Sequence, residues 1–502
     1  MKFKLLLFLA FALSISAPAQ SPASILKRAE KAMGGAKALQ NVRAWSRTGT
    51  ITNVKTGSKG KYRSETTQPN FYHAIFDLDG FEIESGYNGK SGWERDSRGG
   101  LRTLTGDASL AMQAEAAFRN SMWFNYKKEK SKIVSGGKST VDGKPVNVVL
   151  LNTPKGVEFK LYFDAVTNLL VREDIVKADK SDNVIYGDYR SIGNIRQPYR
   201  MKMDQNGESF IVDFDDIKPN DELAASTFDF PRIYGDPLPD IATLLSELQS
   251  NEDEVEKVLD SYSFIQRSTR REIGKDGVLR DKESETYQLS FYKGNRIRRL
   301  IEKNGKPLSK SDQEDADKDA GKRVEEIEKQ IAKDEKRAES KDGRPSEDGR
   351  RVSIAEVLRA SKLTNPRRER FRGRDVIVFY FEPDPSFDFK NAKSMLKFFG
   401  KTAGVMWIDE KDKQVARLEA FLFDNYNVGG GVLAKLKKGA SFTLEQERLN
   451  DEIWLPSLAD INLSVRVLLV KGIDLNQQVR SYDYRKFATE VKDATVNQQQ
   501  NP

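Results

Sequence analysis

Cysteine is absent from the 502 residues and histidine occurs once, at His73. Without thiols there is no disulfide framework, no lipidated N-terminal cysteine and no thiolate metal site. With a single imidazole, a catalytic triad or a histidine metal cluster would have to be built around one ring, and His73 sits among strand-forming aromatics, where a satisfied strand histidine is expected. Long hydrophobic runs are also missing. The longest, Leu5 to Ile15, falls well short of the roughly twenty residues that span a bilayer.

Nucleotide and calcium signatures fail on spacing. Gly137-Lys138-Ser139 imitates the end of a phosphate-binding loop, but Lys132 stands where its first glycine is needed, so the segment reads as a hairpin turn. Gly429-Gly430-Gly431 with Ala434 lacks a βαβ context and reads as a flexible turn. Asp312 to Asp319 has no glycine at the sixth position of a calcium loop. No catalytic residue, metal ligand or cofactor site emerges.

What is present begins with an export signal. Lys2 and Lys4 precede the apolar run, and Ala17-Pro18-Ala19 has the small-x-small form of a cleavage site, so residues 1–19 read as a signal peptide. Losing the two lysines takes the formal charge from +8 to +6, a weak excess in a chain that is 31% charged. Basic blocks such as Arg296–Arg299 and Arg367–Arg372 read as solvated strand edges. Nucleic acid is not expected as a partner of an exported, periplasmic protein, and the mature chain has no transmembrane segment.

The remaining length exceeds what one core serves, so two domains are expected, 20–235 and 236–490, with a disordered tail at 491–502. Each domain starts with a helix (Ser24 to Leu39; Ile241 to Leu259) and continues in short strands rich in Thr, Val, Ile and aromatics, divided by glycine. In the first, Gly106 to Tyr126 interrupts the strands with Leu110, Ala114, Phe118 and Met122 every four residues, one apolar helix face. In the second, a charged insertion at about 309–350 reads as a mostly exposed helix, its stripe of Ala320, Val324, Ile327 and Ile331 being narrow. Leu161-Tyr162-Phe163-Asp164 with Leu170-Val171-Arg172 parallels Met406-Trp407-Ile408-Asp409 with Val415-Ala416-Arg417. These repeated hairpins point to duplication.

The first half resembles the LolA and LolB family of periplasmic outer-membrane lipoprotein-sorting proteins. The residues that carry the likeness are Ala32-Met33-Gly34-Gly35 before a strand, Leu161 to Asp164 with Leu169 to Glu173, Gly187-Asp188-Tyr189-Arg190 followed by Pro198, and the closing Phe210 to Pro231. The second half resembles a more divergent member over residues 370 to 487. The resemblance implies a mainly β (α+β) protein of two tandem incomplete antiparallel β-barrels, each with helices covering its concave face. It also implies a binder or carrier of lipid or lipoprotein acyl chains rather than an enzyme, exchanging cargo with inner- or outer-membrane receptor proteins. Trp45, Phe71, Leu110, Ala114, Phe118, Met122, Phe163 and Tyr189 are then the expected lining of an apolar cavity under a helical lid. The competing reading is a non-transport envelope sensor or adaptor that uses the same fold as a protein-interaction surface.

Overall fold

The computed structural model describes residues 21–78, 81–97, 100–121, 123–176, 181–205, 207–231, 237–273, 279–339, 353–428, 434–467 and 473–487. The expected signal peptide, the tail, Met122 and Gly429–Gly431 lie outside them. The chain divides into two compact units, with nearly everything up to Pro231 in the first and nearly everything after it in the second.

The first unit opens with α1 (Pro22–Ala32), capped by the Ser21 hydroxyl, and α2 (Ala36–Gln40). Gly34 and Gly35, both at positive φ, divide what the periodicity reads as one helix. Strands follow at β1 (Ala44–Asn53), β2 (Lys59–Thr67), β3 (Phe71–Leu78), β4 (Phe81–Tyr87), β5 (Gly92–Asp96) and β6 (Gly100–Thr103). After α3 (Gly106–Ser121) come β7 (Lys132–Val141), β8 (Lys144–Asn152), β9 (Glu158–Asp164), β10 (Leu170–Val176), β11 (Ser181–Ile192), β12 (Ile195–Gln205) and β13 (Glu208–Pro219). Gly137-Lys138-Ser139 is not a hairpin turn. It lies inside β7 at a bulge, and the chain reverses at Asp142-Gly143, both at positive φ as a tight hairpin requires.

The first sheet includes the antiparallel run β5-β4-β3-β2-β1-β13-β12-β11-β10-β9-β8-β7, with the first strand beside the last, and its two ends do not meet. Gly49 sits at a bulge between β1 and β13, where an added Cβ would lie 2.3 Å from the Asp213 carbonyl oxygen. The curl this permits brings both wings of the sheet onto α3. One wing packs its β2–β5 strands against the helix, and from the other Glu173 and Tyr186 reach Arg119. The inner face holds a large apolar core, with Ile25, Leu26 and Ala29 of α1 and its C-cap Met33 packed over Val149, Leu151, Phe159, Leu161 and Phe163.

The second unit begins with α4 (Ile241–Val258), then β14 (Tyr262–Ile273), β15 (Leu279–Tyr292), β16 (Asn295–Lys303), β17 (Lys306–Pro307) and the long α5 (Lys310–Glu339). It continues with α6 (Ile354–Arg359), β18 (Ser361–Phe371), β19 (Arg374–Pro383), α7 (Ser394–Phe399), β20 (Thr402–Asp409), β21 (Val415–Leu422), β22 (Tyr426–Val428), β23 (Ala434–Leu436), β24 (Ser441–Leu449), β25 (Ile453–Val467) and β26 (Ile473–Lys486). Its sheet runs β17-β16-β15-β14-β26-β25-β24-β21-β20-β19-β18, again with first strand beside last. α5 is the charged insertion, held to β16 by buried Ile327 and an Arg299–Asp317 pair. The molecule is thus mainly β, with two large antiparallel sheets that do not close. Among the described residues no helix is long and apolar enough to cross a membrane.

Candidate functional site

α3 is the element around which the first unit's polar and apolar features gather. Leu110, Ala114 and Phe118 form the apolar face expected of them, and the helix adds two further faces. Ala114 and Phe118 enter the main core, with Leu110 partly buried against it, while Met112 and Ala116 join Tyr87 and Leu104 in a second cluster. A third face carries Glu115 and Arg119, one turn apart.

Between α3 and the β8–β9 side lies a cavity of about 240 Å³, lined by Gln113, Ala114, Ala117, Phe118, Leu151 and Phe159 among others. Phe118 stacks on Phe159 at 4.6 Å and 11°, and so forms its floor. At its rim Lys155 donates from Nζ to Gln113 Oε1, and burial draws its pKa below the usual lysine range. The walls mix hydrocarbon from Ala114, Ala117, Phe118, Leu151 and Phe159 with polar side chains such as Asn70, Ser121, Glu129 and Thr153.

On the third face of α3, Arg119 meets two carboxylates, Glu115 and Glu173. Glu173 is fully buried, and its contact with Arg119 Nη2 at 2.5 Å is Coulombic rather than an aligned hydrogen bond. Burial raises its pKa against the pull of Arg119. Arg119 also donates to the Tyr186 hydroxyl at 2.8 Å, and although burial opposes its charge, Glu173, Tyr186 and Glu115 hold its pKa well above the ordinary value. Nearby Arg47 on β1 behaves in the opposite way. Burial pushes its pKa down to about 10, and the groups acting on it are Arg119 and the hydroxyls of Tyr62, Tyr186 and Tyr72.

His73 is held rather than free. Its Nδ1 lies 3.0 Å from Glu65 and its Nε2 2.9 Å from Glu84, and Glu84 is in turn paired with Arg95. Burial works against a charged ring, but the two carboxylates outweigh it and raise the pKa. Among the described residues no group of three or more His, Asp or Glu side chains could hold a metal ion.

Of the eight expected lining residues, Ala114 and Phe118 border the cavity. Trp45 and Phe163 are buried in the core, Phe163 edge-on to Trp123, with Leu110 and Tyr189 against its margin. The Tyr189 hydroxyl donates to the Leu170 carbonyl. Phe71 alternates with Tyr72 and lies on the opposite face of β3, its ring 5.5 Å from Phe228. Met122 is outside the described residues. Sequence reasoning missed the polar cluster of Arg47, Arg119 and Glu173. The legible signal was an arginine at the inward position of β1 between Trp45 and Ile51, where strand alternation calls for an apolar residue.

The second unit holds a cavity of about 230 Å³ bordered by Val255, Phe291, Arg296, Gln446, Trp454, Leu455 and Pro456. The buried residues of β14, β15 and β26 include Gln266, Ser268, Ser284, Thr286 and Ser481, with Gln266 donating to Ser481 and Gln477 to Ser268.

No family model matches the chain, and no curated protein matches it. Among solved structures it is similar to a LolA superfamily protein from Nitrosomonas europaea, with 13% identity over 42% of this chain and 99% of that one at a TM-score of 0.30. It is also similar to an outer membrane lipoprotein-sorting protein domain from Vibrio parahaemolyticus, at 12% identity, 41% and 97% coverage and a TM-score of 0.29. The complex of MucA and MucB from Pseudomonas aeruginosa matches at 9% identity over 93% of this chain and 99% of that one, with a TM-score of 0.18.

Proposed function

We propose that the protein is a non-catalytic periplasmic binder or carrier, whose first unit holds the hydrocarbon part of a lipid or of a lipidated protein between α3 and the β8–β9 side of the sheet. The observation that carries this is the apolar cavity against Ala114, Ala117 and Phe118. At about 240 Å³ it exceeds the roughly 150 Å³ of an engineered apolar cavity that takes up benzene. It falls below the roughly 300–1,000 Å³ of ordinary ligand sites, so it suits a segment of one chain while α3 stays where it is. Burying about six methylenes would contribute roughly 5 kcal/mol, enough to retain a chain and small enough to release it to a receiving protein or membrane.

The test is uptake of a fluorescent fatty-acyl probe by the purified chain, together with native mass spectrometry for co-purified lipid. Ala117→Trp narrows the cavity from a part-buried helix position, and a loss of two methylenes' worth of burial predicts about tenfold weaker uptake with the fold intact. A chain that arrives empty and ignores the probe refutes the reading. For the second unit a sensor or adaptor role is the better supported one, because hydroxyls and amides among the buried residues of β14, β15 and β26 suit hydrogen bonding to a polar partner more than a hydrocarbon.

A further inference from the structure

Strand register gives the concave face of the first sheet a slot of small side chains, made of residues that do not line the cavity against Phe118. Antiparallel register places residues side by side in rows across β1, β2, β3 and β4. One row is Trp45, Thr66, Tyr72 and Tyr87, and another is Gly49, Tyr62, Phe76 and Ile83. The row between them is Arg47, Ser64, Ala74 and Ser85. Three small side chains therefore follow one long cationic one, flanked on both sides by aromatic rows.

Arg47 keeps part of its surface exposed, while burial desolvates its guanidinium. Its contact is the Trp45 ring, 5.1 Å from the guanidinium carbon, and among the described residues no carboxylate pairs with it. Glu115 and Glu173 both serve Arg119. Beside it the Thr66 hydroxyl is fully buried with no hydrogen-bond partner. A desolvated guanidinium in the slot and an orphaned hydroxyl on its flanking row are two unmet demands for an acceptor.

We propose that this slot receives a singly charged, planar anion, the carboxylate of a single-chain amphiphile, on Arg47 with Thr66 as a second donor. The guanidinium fork matches a carboxylate in two parallel hydrogen bonds. Charge counting disfavours a doubly charged phosphate, since the other local cation is already shared by two carboxylates that would repel it. The proposal rests on the carrier reading and adds the chemistry of the ligand's head.

The experiment compares oleate with oleyl alcohol on the purified full chain, in wild type and in Arg47→Gln, with acetate against chloride at matched ionic strength as the free-anion arm. The wild type should bind oleate roughly tenfold or more tightly than the alcohol, and Arg47→Gln should abolish that gap while leaving the alcohol's affinity unchanged. Equal wild-type affinities, or a gap that survives in the variant, overturn the head-group site and leave the carrier reading standing. If neither amphiphile binds while acetate raises the wild-type Tm and not the variant's, the anion site stands and the carrier reading falls. If acetate also does nothing, both fall. Should Arg47→Gln fail to fold, the wild-type pair of affinities still decides, and Thr66→Val must narrow the gap without weakening alcohol binding.

Discussion

The two sheets share a strand order and differ in what they bury. In each, the first strand of the unit adjoins the last, the earlier strands run out along one wing and the later ones return along the other. The first sheet carries one dominant apolar core from α1 across to the β1–β2 strands, with two small clusters beside it at Tyr87 and Val146. The second is divided: α4, α6 and β19–β21 enclose an aliphatic and aromatic cluster, and a smaller one gathers around Tyr262 and Phe264, close to buried Gln266, Ser268 and Ser481. Topology follows from hairpin connections, and lining follows from which residues alternate inward. A shared frame therefore does not entail a shared ligand.

The largest expected effect tests the continuity of the first core. Phe159→Ala removes a fully buried ring stacked on Phe118 and should cost about 3–5 kcal/mol. It should lower the denaturant midpoint of the first unit and leave the second unit's unchanged. A simultaneous loss in both units would show that their cores are not independent. Next comes the ion cluster of the second unit, where Arg417 pairs with Glu419 and Glu445 at almost complete burial. Arg417→Met should cost about 3 kcal/mol because it strands Glu445, to which among the described residues only the half-exposed Arg372 then remains. A neutral result in thermal denaturation would mean that water already reaches this cluster.

Much of this frame was legible beforehand. Asp164 and Asp409, set in parallel by the repeated hairpin pattern, do the same job: each accepts from the backbone amides two and three residues on. Arg172 and Arg417, placed in equivalent return strands, each pair with an acid two residues further along. Local hydrogen bonding and strand alternation make such features readable from short windows. The polar cluster was not readable, because Arg47, Arg119 and Glu173 are brought together by the curl of the sheet and not by proximity in sequence. Phe71 was misplaced by one step of alternation, which is enough to carry a side chain to the other face.

A smaller effect separates the opposite face of the first sheet from its core. His73 has a folded pKa above its ordinary 6.5, so its contribution is fully present below that value and is lost as pH rises through the raised one. Burial opposes ionisation of Glu84, but His73 and Arg95 hold its pKa below the ordinary 4.5, so its contribution is present above 4.5 and lost as pH falls. The network should therefore stabilise the first unit most between about 4.5 and 6.5. His73→Gln should lower stability at pH 6 by about 2 kcal/mol and flatten the decline above neutrality. Parallel pH curves for the two proteins would remove His73 as its cause.

The smallest effect bears on the second sheet. Ser268→Ala removes the acceptor of the Gln477 amide, and if that part of the sheet is reached by water the amide finds a new partner at a cost under about 1 kcal/mol. If instead the hydroxyls and amides of Gln266, Ser268 and Ser481 form a dry, fully satisfied network, the same change leaves a buried donor unmet and costs about 1–3 kcal/mol. Chemical denaturation of the variant separates the two. A cost below 1 kcal/mol supports a hydrated surface open to a polar partner. A cost of 2 kcal/mol or more makes these residues a core written in hydrogen bonds, and the difference between the sheets becomes one of how each is stabilised and not of what each binds.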